Sequence, residues 1–317
     1  MKDNPFVSIA INNYNYARFL PEAIESALNQ TYPHVEVIVV DDGSTDNSKE
    51  IITNYGDKII PVFKENGGQA SAFNAGFAAS RGDIICFLDA DDLFVPEKAA
   101  EIVQALGDRQ DAGWCFHFLK WVDADGKPSI HKNSQEDASI PQNSHESLIH
   151  EYDLRAHIKK GKLKDKLDNL PSTTGLCFTR SLLQQILPMP EAKRIGLNDG
   201  YLEFTAIGLS KGIILNQELA LYRVHGSNAY AQRKDSQKIQ ARIIVLTAYW
   251  MRTKFPEFSK FTNNLLATGL GMYQRAGGVE AECQEFVENY LTSVTLPEKL
   301  EIYIRALYNY IKNTKFQ

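Results

Sequence analysis

The chain has 317 residues, 44% of them hydrophobic and 23% charged, with a net charge of −5. That is the balance of a globular protein long enough for one large domain or two ordinary ones, and it gives no electrostatic footprint for nucleic acid. No apolar run reaches membrane-spanning length, and Met1-Lys2-Asp3-Asn4-Pro5 lacks a secretory pattern, so the expected location is cytoplasmic.

In chain order, Val7 to Ile11 reads as a strand, and Pro21 opens a helix with Leu20, Ala23, Ile24, Ala27 and Leu28 on one side. Val35 to Val40 is a second strand, ending in Asp41-Asp42-Gly43-Ser44. Ser44 or Thr45 is placed to cap the next helix, which stops near Gly56. Lys58 to Phe63 is a third strand. After the Gly67-Gly68 loop, Gln69 to Ser80 is a helix of small residues. The run Asp83 to Leu88, bounded by Gly82 and by acids, reads as a strand buried on both faces, and it ends in Asp89-Ala90-Asp91-Asp92. Such alternation predicts an α/β fold, a Rossmann-like and mostly parallel sheet covered by helices.

Asp123-Ala124-Asp125-Gly126 repeats the acid spacing, but Gly126 and Pro128 give it hairpin-turn chemistry. It is no calcium loop of the EF-hand type, because Ser134 stands where the closing Glu belongs. Residues 126 to 170 are polar, and a loop of that length is expected to be functional or mobile. Lys159-Lys160-Gly161-Lys162 within it reads as a solvated face. Strand and helix resume at Thr173 to Thr179 and Ser181 to Ile186. A helix begins near Asp199, and Ile213 to Val224 reads as two short strands. From Asp235 helical periodicity dominates, with Ile239, Ile243, Leu246, Tyr249 and Trp250 on one stripe and with Pro256 and Pro297 as dividers. That stripe needs a partner surface. The tail is therefore expected to be a packed appendage with an oligomer or peripheral membrane contact. Cys86, Cys115, Cys177 and Cys283 have neither zinc-site nor disulfide-framework spacing and read as buried reduced thiols.

Acids recur at strand ends. Asp41 and Asp42 close the second strand, Asp89, Asp91 and Asp92 the fourth, and Asn12-Asn13-Tyr14-Asn15 the first. In a parallel sheet all three groups face one edge, where open α/β sheets bind ligands. Two carboxylates one residue apart can share magnesium or manganese, and the metal could hold a diphosphate. The blander readings are a turn and helix cap at Asp41 to Ser44, a packing role for Tyr14, a structural His225, and a helix N-terminal acid at Asp199.

Val7 to Asn15, Gln30-Thr31-Tyr32, Val39 to Asp46, Asn66-Gly67-Gly68, Asn74-Ala75-Gly76 and Phe87 to Asp92 resemble the nucleotide-sugar half of family-2 glycosyltransferases. These enzymes have the GT-A fold and invert the anomeric centre. Ser181-Leu182-Leu183 to Pro188-Met189-Pro190-Glu191, Asn198 to Tyr201 and Tyr222 to Gly226 resemble the acceptor half. The resemblance spans about residues 6 to 228. It implies a catalytic domain over 1–230, with a nucleotide-sugar half to about 122 and an acceptor half over 123–230. A helical C-terminal extension would occupy 231–317. It further implies that Tyr14 stacks on the base and Asp42 accepts the base N–H, that Asn13 and Asn74 contact the nucleotide sugar, and that Asp89 lies near the ribose. Asp91 would bind the divalent cation, with His225 near the metal or diphosphate, and Asp199 would be the general base. Implied partners are a nucleoside-diphosphate sugar, UDP-linked by expectation, and a saccharide or lipid-linked acceptor. A homo-oligomer is a further expectation.

Three positions depart from the family pattern. Asn12-Asn13 replaces Pro-Thr, Phe73 stands where an Arg often precedes the Asn, and Asn198 replaces a Glu. The chemistry asks for the same parts independently: a cation for the charge on the leaving diphosphate, and a carboxylate to deprotonate the acceptor hydroxyl. Two other classes compete. One is a magnesium-dependent phosphohydrolase, in which Asp-x-Asp usually opens the domain. The other is a non-catalytic nucleotide-sugar-binding protein.

Overall fold

The structure, a computed structural model, describes residues 4–128, 148–163, 170–191, 196–228 and 235–314. The expectations for the greater part of 126 to 170, Ser134 included, lie outside the described residues. The first half alternates as the pattern predicts: β1 (Val7–Asn13), α1 (Leu20–Leu28), β2 (Val35–Asp41), α2 (Ser48–Asn54), β3 (Ile60–Phe63), α3 (Gly68–Ala79) and β4 (Ile84–Asp89). A two-residue β5 (Leu93–Phe94) and α4 (Lys98–Gly107) follow. The second half runs β6 (Ala112–Asp123), β7 (Ile149–Tyr152), α5 (Arg155–Lys159), β8 (Leu176–Thr179), α6 (Arg180–Ile186), α7 (Asp199–Leu209) and β9 (Lys211–Val224). It closes with α8 (Ser236–Lys254), α9 (Ser259–Arg275), α10 (Ala281–Thr292) and α11 (Leu296–Thr314).

The described strands form one sheet in the order β3-β2-β1-β4-β8-β6-β9-β5, with β7 paired to β9. Strands β1 to β4 are mutually parallel, whereas β8 runs antiparallel between β4 and β6, so the second half is mixed. Register makes the strand ends level: Asn13 lies opposite Asp41, and Asn12 opposite Asp89. Three polar clusters distant in sequence thus emerge at one edge of a sheet whose strands are otherwise apolar and buried.

Several local expectations are corrected. Neither Ser44 nor Thr45 caps α2; Ser48 N–H donates to Asp46 Oδ1 at 3.0 Å instead. Ser44 Oγ is already engaged, accepting from Asn15 N–H and Asn13 Nδ2, while Thr45 N–H donates to Asn15 Oδ1. Residues 213–224 are not two strands but part of one 14-residue strand. Its register against β6 jumps from Leu215 to Glu218 across two consecutive β6 residues, so Asn216 and Gln217 form a bulge that mimics a break in the pattern. Asp123 to Gly126 is the turn expected: Gly126 N–H donates to Asp123 O, and Gly126 has φ +79°.

The stripe on α8 also finds its partner inside the molecule. Ile239, Ile243 and Leu246 are buried, and Tyr249 and Trp250 pack edge-on or tilted against Phe286 of α10. One apolar cluster runs from Phe87, Trp114 and Phe178 of the sheet through Tyr201 of α7 to Met251, Tyr273, Tyr290 and Ile302. The helical tail therefore rests on the same core as the sheet. All four cysteines are buried and unbridged, and Cys177 of β8 lies in register with both Cys86 and Cys115. Among the described residues no helix is long and apolar enough to cross a membrane.

Candidate active site

A cleft of about 570 Å³ opens at the level strand ends, walled by Asn12, Asn13, Tyr14, Asp42, Asp89 and Asp91. Tyr14 stands at its mouth with 46% of its surface exposed, so a ring face is available for stacking. The next residue, Asn15, takes the left-handed φ of 59° that lets the chain turn away from β1. Its side chain and the Ser44 hydroxyl staple this loop to the β2–α2 loop, and Ala17 N–H donates to Asp46 Oδ2. Asn13 is braced from behind, its amide donating to Asp41 Oδ1 at 2.8 Å. Asn12 differs: neither atom of its side-chain amide has a hydrogen-bond partner among the described residues, although the residue is only 9% exposed.

Asp42 is buried and organises the loop that opens α3. Its Oδ1 accepts from Lys64 Nζ at 2.5 Å and from Gly67 N–H at 3.0 Å, and its Oδ2 accepts from Gly68 N–H at 2.8 Å. A carboxylate has about four acceptor sites, so one remains for a ligand donor. The turn that follows Asp42 needs a glycine. Gly43 has φ +76°, and a Cβ there would meet Asn66 N at 2.7 Å.

Across the cleft lies an acid cluster. Asp89, Asp91 and Asp92 leave β4 together, and Asp199 opens α7 on the far side. Burial first, then repulsion from Asp91, Asp92 and Asp199, pushes the Asp89 carboxyl well above the usual range. Asp92 is likewise pushed up by burial and by Asp91, although it accepts from Thr174 Oγ1 at 2.5 Å and from Arg223 N–H at 2.9 Å. Asp91 faces His225 Nε2 at 3.1 Å and accepts from Asn228 Nδ2 at 3.2 Å. The His225 ring lies 4.4 Å from the Phe19 ring, and its Nδ1 lies 2.8 Å from Ser227 Oγ.

The turn Thr173–Gly175 between the two acid groups is the piece sequence reasoning missed. Thr173 donates to Asp199 Oδ2 through both its N–H (3.1 Å) and its hydroxyl (3.2 Å), and accepts from Gln69 Nε2. Thr174 Oγ1 donates to Asp92 and accepts from Asp89 N–H, while its carbonyl accepts from the buried Lys98 Nζ at 2.8 Å. Asp199 Oδ1 accepts from Gly200 N–H, and burial raises its carboxyl above the ordinary value despite these bonds. Asn198, the departure from the family's acidic pair, caps α7 by accepting from Gly200 N–H.

Of the residues singled out, Asn13, Tyr14, Asp42, Asp89 and Asp91 line the cleft. His225 and Asp199 do not line it: His225 meets the lining residue Asp91, and Asp199 accepts from Thr173, which in turn accepts from the lining residue Gln69. Asn74 does not line it. Its amide exchanges two hydrogen bonds with the backbone of Met189, at 2.7 and 2.8 Å, and donates to Glu191. Tyr222, the first residue of the Tyr222 to Gly226 motif, lines the cleft too, as does Asn228, which only its nearness to that motif signalled. Among the described residues no three Asp, Glu, His or Cys side chains form a metal cage. An incomplete protein shell, one or two carboxylates in a cluster of like charge, suits a magnesium or manganese ion that arrives with a diphosphate.

The strand order, the cleft at the carboxyl ends and the acid cluster define a GT-A fold. Staphylococcus aureus TarS 1-349, solved in complex with UDP-GlcNAc, superposes over 96% of this chain and 89% of its own, with a TM-score of 0.61 at 19% identity. Mannosyltransferase PcManGT from Pyrobaculum calidifontis, solved with GDP-Man and Mn2+, gives a TM-score of 0.51 at 17% identity over 98% of this chain and 88% of its own. The family model described as glycosyl transferase family 2 matches residues 8–185. An uncharacterized glycosyltransferase of Nostoc sp. is 36% identical over 252 residues, 77% of this chain and 74% of that protein. One from Rickettsia typhi is 47% identical over 109 residues, about a third of each. The chain belongs to glycosyltransferase family 2.

Proposed function

We propose that this glycosyltransferase moves a sugar from a nucleoside-diphosphate sugar, UDP-linked, to the hydroxyl of a saccharide or lipid-linked acceptor with inversion. The observation that carries the reading is the acid cluster at the cleft. Asp89 and Asp91 line it with Asp92 beside them, and of the two buried cations near Asp92, Lys98 spends its ammonium on the Thr174 carbonyl and Arg223 pairs with Glu22. A diphosphate approaching this wall is repelled by each acid that is ionised, and a cation between them removes that repulsion. In this reading Asp91 and His225 hold a magnesium or manganese ion, which when bound neutralises charge on the leaving diphosphate. The TarS complex with UDP-GlcNAc and the PcManGT complex with GDP-Man and Mn2+ support the donor class and the cation.

The chain's own groups divide the remaining work. Tyr14 offers its ring to the base, and Asp42, held rigid by Lys64, Gly67 and Gly68, accepts the base N–H. Asp199 takes the proton of the attacking hydroxyl. Thr173 fixes that carboxylate, and its raised proton affinity makes it a better base than an exposed carboxylate. The hydroxyl bonds to the anomeric carbon on the face opposite the departing diphosphate, whose C–O bond breaks in the same step, so the product has the opposite anomeric configuration.

Incubating the protein and manganese with a panel of nucleotide sugars and acceptors tests this, with NMR assignment of the anomeric proton in the product. An inverted product from a nucleotide sugar is the expected result. Retention of configuration, or release of phosphate in place of transfer, overturns it.

A further inference from the structure

The exposed apolar surface is concentrated on α11. Leu296, Leu300, Tyr303, Ile304, Leu307 and Tyr308 are between 48% and 83% exposed. At their sizes this is on the order of 800 Å² on one helix, above the few hundred Å² a monomer usually shows and near the roughly 800 Å² per partner of a stable interface. The helix itself is firmly made. Thr295 and Glu298 form a capping box, with Thr295 N–H donating to Glu298 Oε2 and Glu298 N–H donating to Thr295 Oγ1. Its opposite face is already committed. Ile302 and Ala306 are buried, and Gly271 of α9 approaches so closely that a Cβ there would meet Ala306 O at 2.9 Å. The outer face therefore cannot rotate inward to hide.

We infer that this outer face of α11 is the interface of a two-fold dimer with a second copy of the same chain. The spacing argues for a helix as the partner. Leu300, Ile304, Leu307 and Ile311 recur at intervals of four, three and four, which places Leu at d and Ile at a, the composition that favours two strands. A seam of that kind is self-complementary, as a two-fold contact requires. Charge argues against a lipid surface. Lys299, Arg305 and Lys312 are offset by Glu298 and Glu301, and Arg305 is paired with Glu301 at 2.7 Å. An anionic membrane selects instead for clusters of about four to eight basic residues. At 19 residues the helix offers a seam roughly 28 Å long.

Sedimentation equilibrium on the full chain tests the assignment, beside the double variant Ile304→Glu/Leu307→Glu and the single variant Tyr308→Glu. All three positions are exposed, so melting temperature and circular dichroism should match the parent. The parent is expected at twice the chain mass at low micromolar concentration. The double variant should dissociate roughly 100-fold or more easily, because two carboxylates from each chain would be buried in the seam. The single variant, flanking the seam, should weaken the dimer less. A parent that stays monomeric, a double variant that stays dimeric, or a monomer that floats with anionic phosphatidylglycerol vesicles would each overturn it.

Discussion

Asp199 accepts three hydrogen bonds, two of them from Thr173, yet its carboxyl still sits above the ordinary value because burial outweighs them. As the proposed base it works ionised. A raised value means that protonation, and loss of activity, begins at a higher pH than for an exposed carboxylate. The acid limb of kcat/KM should therefore lie above the range of an ordinary exposed carboxylate. Thr173→Val removes one bond to the charged form and should move that limb further upward. Asp199→Asn should abolish the limb and lower kcat by about 10²–10⁴-fold with donor affinity kept. A pH–rate profile identical in the parent and Thr173→Val would separate the turn from the base. The residue types at the strand ends were legible because acids after a buried apolar run have few other reasons to be there. Thr173 and Thr174 were not legible, because their role exists only once β8 is inserted between β4 and β6. Asn74 shows the converse. Its motif carries no sign that Met189, 115 positions away, consumes the amide.

At the scale of elements, the loops around the cleft are held by side chains that also face it. Asp42 ties Lys64 and the Gly67–Gly68 segment to the end of β2, and Ser44 ties β1's loop to β2's. Asp42→Ala should therefore do two things. In the proposed reading it removes a charge-assisted bond to the base worth roughly 1.5–3 kcal/mol, and it leaves two backbone N–H groups without their acceptor and the Lys64 ammonium with the Glu65 carbonyl alone. UDP affinity by calorimetry should fall about tenfold or more, with a lower melting temperature. A variant with full affinity would remove Asp42 from the site. β1, β2 and β4 could be read directly, since continuous apolar runs between turn residues have one common explanation in such a chain. β9 was misread because the polar bulge at Asn216 and Gln217 looks like a loop until the register with β6 is known. The start of α2 was misread for a related reason: Ser44 is a good cap by type, but a neighbouring loop takes its hydroxyl first.

Over the whole molecule, the buried apolar cluster joins the sheet, α7 and the C-terminal helices. Helical periodicity on α8 revealed that a face is covered but not by what, and so it suggested an external partner for a surface that is in fact core. α11 carries the outward face instead. A chain ending near Asp235 should accordingly expose the Tyr201 and Phe178 side of the core and aggregate, and a soluble, active truncation would contradict the shared core. The central claim remains the donor site, an acid cluster that needs a cation before it can receive a diphosphate. Calorimetric titration of UDP with manganese, with chelator, and with the Asp91→Ala variant tests it most directly. Binding that requires manganese in the parent and is lost in Asp91→Ala is the predicted result. Equal UDP affinity with manganese and with chelator would contradict it.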